Sequence, residues 1–281
     1  MRVGFFYIGP GKTATTWLFK VLEEHPEICL PPSKDLNFFD SFHERGVRWY
    51  HRQFGCDPAN TLVGDVSHDY LLSDSALARI REYNSEAKLI VGLRNPYERA
   101  ESGLNFLNRN GFSYTDMQAA AENHVELVRG GLYGENLRRV YRYFPGDQVL
   151  LADYSLLVED PAEFIARVCS FLGVEVIQFA RLNERVNERA VPRSRWLASM
   201  VKALALKARA LGLNHLVGQI KLNPLVVAAL YRPSRDGYRL TASDVGFLAK
   251  YFEPDISDLE SLTGRSFGHW REGGSSGGRR E

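Results

Sequence analysis

Gly9-Pro10-Gly11-Lys12-Thr13-Ala14-Thr15-Thr16-Trp17 is the stretch whose reading decides the fold. Arg2–Ile8 before it is a short apolar run rich in β-branched and aromatic residues, the pattern of a buried strand. After it, Thr15–Glu24 carries Trp17, Leu18, Val21 and Leu22 at helical spacing until His25-Pro26 ends the helix. A loop between a strand and a helix aims several backbone N–H groups and the positive helix end at one point, where a phosphate fits. Lys12 adds a point charge, and the hydroxyls of Thr13, Thr15 and Thr16 add donors.

The rest of the chain repeats the alternation. Leu62–Val66 and Lys88–Leu93 read as buried strands with a helix from about Ser75 to Tyr83 between them. Asn95-Pro96 caps and opens a helix to about Leu107. Leu132–Phe144 reads as helix, Gln148–Ala152 as strand, and Ala162–Leu172 as a helix closed by Gly173. Strands alternating with helices predict an α/β three-layer sandwich around a central parallel sheet with right-handed crossovers. Arg195–Leu230 is apolar, basic and helical in pattern, interrupted by Gly212, Gly218 and Pro224; Thr241–Phe252 and Ile256–Leu262 read as closing helices. Residues 1–272 are therefore expected to form one domain, with a core to about 180 and a helical elaboration over about 190–235. Residues 273–281, rich in Gly, Ser and Arg, are expected to be a disordered tail.

Composition narrows the partners. The chain has 281 residues, 44% hydrophobic and 25% charged, which suits one large globular domain and excludes a fibrous or disordered protein. Its 35 Lys+Arg against 34 Asp+Glu give a formal net charge of +1, so no global field draws it to nucleic acid or an anionic membrane. No apolar run has membrane-spanning length. Cys29, Cys56 and Cys169 show neither CxxC pairing nor metal spacing, and are expected to be reduced thiols of a cytoplasmic protein.

A second anion grip is legible in Leu93-Arg94-Asn95-Pro96-Tyr97-Glu98-Arg99-Ala100-Glu101-Ser102. Arg94 stands at the carboxyl end of a buried strand, where open α/β sheets bind ligands. Arg99 and Ser102 are three apart on the following helix and share a side. Two grips on one sheet edge suit a nucleotide phosphorylated at both its 5′ and 3′ positions. A nucleoside-triphosphate loop would need glycine where Phe6 stands, although Leu62-Val63-Gly64-Asp65 could supply the magnesium carboxylate. An ATP-dependent small-molecule kinase is thus the alternative enzyme, and a non-catalytic nucleotide-binding protein the third reading.

In these motifs the chain resembles the PAPS-dependent sulfotransferases (PAPS is 3′-phosphoadenosine 5′-phosphosulfate), particularly the bacterial and carbohydrate-modifying branches. Gly9–Trp17 resembles that family's 5′-phosphosulfate loop, and Leu93–Ser102 its 3′-phosphate motif. Lys34-Asp35-Leu36-Asn37-Phe38-Phe39 resembles the segment written Lys-Glu-x-x-Phe-Phe, whose glutamate is the proposed base. Gly64-Asp65-Val66-Ser67 resembles a strand usually reading Gly-Glu-x-Ser-Pro, and VLLADYSLLVEDP (149–161) and Phe171-Leu172-Gly173-Val174 also recur. Ala14 replaces the usual loop glycine and must accept negative φ or strain. Asp35 stands for glutamate, and His68 for the proline after Ser67.

The resemblance implies a P-loop-NTPase-like fold and a sulfotransferase with PAPS as co-substrate, PAP as product and no required metal. The nucleotide would be held by Gly11, Lys12, Thr13, Ala14, Thr15, Thr16, Trp17, Arg94 and Ser102, with Arg189 and Arg193 from an arginine-dense stretch closing over it. Lys12 would neutralise the leaving phosphate oxygen. Asp35 is the first candidate base and His68 the second, since an imidazole suits proton transfer near neutral pH. Asp65 is expected to support Lys12 or His68. The acceptor would be a carbohydrate or another small molecule. Residues 196–230 could form an acceptor lid, a homodimer surface, a lipid-facing flap or a plain helical subdomain, the last ranking first.

Overall fold

The computed structural model describes residues 1–55, 61–184, 190–192, 200, 231–233 and 237–271. Five strands form one parallel sheet: β1 (Phe5–Gly9), β2 (Ile28–Cys29), β3 (Leu62–Val66), β4 (Lys88–Leu93) and β5 (Val149–Asp153). Their order is β2-β3-β1-β4-β5, with Phe5 of β1 beside Gly64 of β3 on one side and Lys88 of β4 on the other. Around them run α1 (Thr15–Leu22), α2 (Val47–His51), α3 (Asp74–Tyr83), α4 (Pro96–Arg109), α5 (Met117–Asn123) and α6 (Glu126–Arg129). Then follow α7 (Tyr133–Tyr141), α8 (Tyr154–Glu159), α9 (Pro161–Leu172) and a closing helix, Ala242–Thr263.

The alternation of side chains along β1 splits the core into two layers. Phe6 and Ile8 pack with Leu89, Val91 and Leu93 against Leu77 of α3, Leu104 of α4, Leu137 of α7 and Phe252 of the closing helix. Phe5 and Tyr7 pack on the other side with Ile90 against Leu18 and Val21 of α1 and Phe164 and Val168 of α9. Both faces of the sheet are covered, which gives the three-layer sandwich. Each such buried side chain contributes roughly 1.5–3 kcal/mol relative to exposure.

The topology places the site. From β1 the chain travels outward to β2, returns to β3 beside β1, then crosses to β4 on β1's other side. The carboxyl ends of β3, β1 and β4 therefore lie side by side at the point where winding reverses, the location at which open parallel sheets hold ligands.

Three expectations need correcting. The closing segment is one helix through Pro254 rather than two. Leu248 and Phe252 before the proline and Ile256 and Leu259 after it are buried in the same core, so packing outweighs the lost backbone hydrogen bond. Asp255, just past the proline, also accepts the N–H groups of Gly134 and Glu135. Second, Ala190–Pro192 and Tyr231–Pro233 pair as an antiparallel ribbon that no strand signal announced. Third, Cys29 is disulfide-bonded, whereas Cys169 is free and buried. The oxidised Cys29 removes the thiol argument for a cytoplasmic setting. Cys56, Arg189, Arg193, most of the 196–230 stretch and the 273–281 tail lie outside the described residues. Among the described residues no helix is long and apolar enough to cross a membrane.

Candidate active site

The loop after β1 reverses the chain through left-handed backbone. Lys12 has φ 72° and Ala14 φ 61°, although neither is glycine. Of the two outcomes open to Ala14 the strained one is realised, at a cost of roughly 1–2 kcal/mol. Among the described residues nothing accepts from the N–H groups of Lys12, Thr13 or Ala14, which leaves a concave set of donors next to the start of α1. The hydroxyl of Thr13 is turned inward, donating to the Pro10 carbonyl at 2.6 Å and pairing with the Tyr7 hydroxyl. Thr15 is buried and Thr16 half-buried at the first turn of α1. Trp17 is packed on Phe164, with its indole N–H on the Leu182 carbonyl, and so anchors α1 from below.

Lys12 sits 4.5 Å over the ring of Phe106 on α4. Burial and the nearby charges of Arg109, Lys34, Arg94 and Arg99 push its ammonium down to about 7. A buried ammonium among like charges marks a candidate anion site.

Arg94, just past β4, reaches the same loop. Its Nη1 donates to the Lys12 carbonyl at 3.2 Å, its guanidinium lies 4.4 Å over Tyr154, and its backbone N–H donates to the Tyr133 hydroxyl. Nε and Nη2 both donate to Glu98 Oε2 at 3.3 Å. Asn95 caps α4 through the Tyr97 N–H, which sets the helix that carries Ser102, a half-buried residue. Arg99 does not share Ser102's environment. It is buried and donates to the carbonyls of Glu126 and Leu127 on α6, so it ties α4 to α6 and adds charge beneath the site.

The third strand end brings the proton-transfer candidates together. Asp35 Oδ1 accepts from His68 Nδ1 at 2.7 Å, and Oδ2 accepts from Lys34 Nζ at 2.7 Å. Burial alone would raise this carboxyl, but the charges and hydrogen bonds of His68 and Lys34 outweigh it and hold Asp35 well below the ordinary carboxylate range. His68 Nε2 lies 3.4 Å from Asp69 Oδ1. The imidazole also lies against the phosphate loop: a Cβ placed on Gly11 would stand 3.0 Å from His68 Cδ2. Gly9, at φ 125°, would bring a Cβ within 2.1 Å of the His68 carbonyl, so only glycine permits β1 to end so close to the end of β3.

Asp65 departs from its expected role. It touches neither Lys12 nor His68; its partners are the hydroxyls of Ser67, Tyr50 and Tyr70. So enclosed, it cannot hold a magnesium ion at the phosphate loop, which removes the strand carboxylate that the kinase alternative required.

The sequence reading did not single out Glu98, Phe106, Arg109 or Tyr154. A signal existed for three of them: Glu98 is four residues after Arg94, and Ser102, Phe106 and Arg109 recur at helical spacing on α4. Tyr154 meets Arg94 only through the pairing of β5 with β4.

Comparison with known proteins bears on the family and the fold. The family model described as "Sulfotransferase domain" matches residues 4–191. The mouse (Mus musculus) heparan sulfate glucosamine 3-O-sulfotransferase 6 is 30% identical over 85% of this chain and 72% of its own length. The mouse enzyme named heparan sulfate glucosamine 3-O-sulfotransferase 3B1 is 27% identical over 93% of this chain, which spans 63% of that relative. In fold, a solved sulfotransferase of Alicyclobacillus acidocaldarius superposes with a TM-score of 0.69 at 21% identity, covering 96% of this chain and 99% of the other. With strand order, phosphate loop and family match in agreement, this chain belongs to the PAPS-dependent sulfotransferase family.

Proposed function

We propose that the protein transfers the sulfuryl group of PAPS to a carbohydrate hydroxyl by metal-independent in-line displacement. The observation that carries this reading is the convergence of three strand ends: the Lys12 loop, Arg94 on the Lys12 carbonyl, and the Asp35–His68 pair beside Gly11. Lys12 and the N–H groups of its loop would bind the 5′-phosphosulfate, and Arg94 with Ser102 the 3′-phosphate. The carbohydrate class is supported by relatives whose names specify heparan sulfate glucosamine.

In the transfer, the acceptor O–H gives its proton to His68 Nε2 as its oxygen bonds to sulfur. The sulfur–oxygen bond to the 5′-phosphate breaks, and Lys12 meets the charge left on that phosphate oxygen. Both Asp35 oxygens already accept, one from His68 Nδ1 and the other from Lys34 Nζ, so the proposed order of the two candidate bases reverses: His68 would take the proton on Nε2, and Asp35 would fix its tautomer and support the imidazolium. Asp69 supports the same cation from the Nε2 side.

The test is a thermal-shift comparison of PAP, ADP and ATP with and without magnesium, followed by labelled-PAPS transfer to heparan sulfate chains and to small saccharides. Stabilisation by PAP without metal and label in a saccharide are expected. Stabilisation by ATP with magnesium but not by PAP would overturn the reading, and PAP binding without transfer to any acceptor would reduce the protein to a nucleotide binder.

A further inference from the structure

β3 ends in a carboxylate that the transfer chemistry does not touch. Asp65 is fully buried, and its contacts are three hydroxyls: Ser67 Oγ on Oδ1 at 2.7 Å, Tyr50 Oη on Oδ2 at 2.9 Å and Tyr70 Oη on Oδ2 at 3.0 Å. No cation among the described residues pairs with it. An ionised carboxylate only accepts, so each of the three hydroxyls spends its single proton on Asp65. What remains on each oxygen is its lone pairs. Ser67 Oγ accepts from the Asn37 N–H at 3.2 Å, and Tyr70 Oη accepts from the Phe39 N–H at 3.4 Å. The Tyr50 ring stacks on Phe38, with centroids 4.5 Å apart and planes 9° apart. Three consecutive residues, Asn37, Phe38 and Phe39, are thus each held by one of the three hydroxyl side chains that converge on Asp65.

That segment needs holding. Asp35 has φ 64° and Asn37 φ 49°, left-handed conformations that side-chain-bearing residues rarely adopt and that persist only when the surroundings over-determine them. Besides its side-chain bonds, Asp35 is fixed by its N–H on the Val66 carbonyl at 2.8 Å, between Asp65 and Ser67. The turn that delivers the Asp35 carboxylate to His68 is therefore clamped to the end of β3 at Val66 and at the Asp65 hydroxyl cluster.

We propose that Asp65 is a positioning residue for sulfuryl transfer: by fixing the proton direction of the Ser67 and Tyr70 hydroxyls it locks the Asp35–Phe39 turn, and so sets the Asp35–His68 hydrogen bond. This rests on the reading of Asp35 and His68 as the proton-transfer pair. A neutral amide at position 65 would present a donor to hydroxyls that already donate, so at least one hydroxyl must turn its proton away from residue 65, which unties its bond to the cluster and loosens its hold on the turn.

The experiment reads His68 directly, in protein labelled with nitrogen-15 in histidine, with the His68 signals assigned by their loss in His68→Gln. In the wild type the Asp35 bond keeps the proton on Nδ1. Asp65→Asn and Ser67→Ala are each expected to move the greater part of the Nδ1-protonated population to the other tautomer, while the melting transition stays cooperative and PAP affinity is kept. Ser67→Thr, which restores the hydroxyl, is expected to restore the signal. If Asp65→Asn does not fold, Ser67→Ala and Tyr70→Phe carry the test alone. Unchanged His68 signals in the variants that fold would overturn the proposal, as would a parallel loss of PAP binding, since Asp65 would then be supporting the whole fold. Asp35→Asn is the control: if it leaves the His68 signals unchanged, the Asp35–His68 reading itself fails, and is seen to fail separately.

Discussion

The Asp35 carboxylate and the His68 imidazole lie 2.7 Å apart, Oδ1 to Nδ1, although 33 residues separate them in the chain. One comes from the turn after β2 and the other from the end of β3, and the imidazole lies against Gly11 of the loop after β1. In the proposed transfer this hydrogen bond would divide the labour: the carboxylate would orient and the imidazole accept.

The first prediction follows from that division. His68→Ala is expected to lower turnover by ~10²–10⁴-fold, the usual range for losing a general base. Asp35→Asn should lose less, because the imidazole remains while its orientation is lost. Neither should change PAP affinity materially, as measured by calorimetry. Near-normal turnover of His68→Ala beside a dead Asp35→Ala would return the base to Asp35.

Lys12 is expected to make nucleotide binding depend on pH. Its ammonium, pushed down to about 7 by burial and by Arg109, Lys34, Arg94 and Arg99, is protonated below that pH and ready for an anion. Above pH 7 binding must recruit a proton, so PAP affinity should fall by about tenfold per pH unit. The same depression below the usual 10.5 means that the charged side chain opposes folding. That destabilisation is full below pH 7 and is relieved as pH rises towards 10. Lys12→Met should abolish transfer, flatten the pH dependence of PAP binding, and melt higher than wild type at pH 6 but not at pH 10.

Glu98 occupies the Nε and Nη2 donors, one edge of the Arg94 guanidinium, that a phosphate would use. Releasing them by Glu98→Gln should tighten PAP binding by about two- to fivefold, since a partly exposed pair is worth only ~0–1 kcal/mol. Arg94→Ala should weaken PAP by about 1.5–3 kcal/mol, roughly ten- to hundredfold, and leave adenosine 5′-phosphosulfate nearly unaffected. Equal losses for the two nucleotides would show that Arg94 does not read the 3′-phosphate.

Ala14 carries strain that glycine would not. Its φ of 61° favours Ala14→Gly, offset in part by the greater freedom of glycine in the unfolded chain. A net gain of about 0.5–1 kcal/mol is expected in urea unfolding, with PAP binding retained. A loss of stability would mean that the Ala14 methyl, packed against the core beside α1, matters more than the backbone.

Much of this was legible in the residues. Leu62–Val66 and Lys88–Leu93 fall at the bounds their apolar runs suggest, because strands buried on both faces need no alternation and stand out as continuous hydrophobic segments. The Lys12 loop and Arg94 announce themselves because phosphate binding demands glycine, lysine and a helix start at fixed spacing. Asp65 misled for a physical reason. A carboxylate at the end of a strand reads the same whether it faces the cleft or three buried hydroxyls, and only the arrival of Tyr50 from α2 and Tyr70 after β3 decides which. Pro254 misled likewise, since a proline's cost is local but the packing that overrides it comes from α7 and the sheet.

The sequence by itself determined the alternation of strands and helices, the Lys12 loop between a strand and a helix, and the arginine at the end of β4, because each depends on contacts within a few residues. Tertiary structure alone decided which groups meet. It brought Asp35 to His68, laid Arg94 on the Lys12 carbonyl, set Glu98 against Arg94, and turned Asp65 inward. Those pairings depend on strand order and on left-handed turns at Lys12, Ala14, Asp35 and Asn37, which are stabilised by the assembled fold rather than by the residues that adopt them.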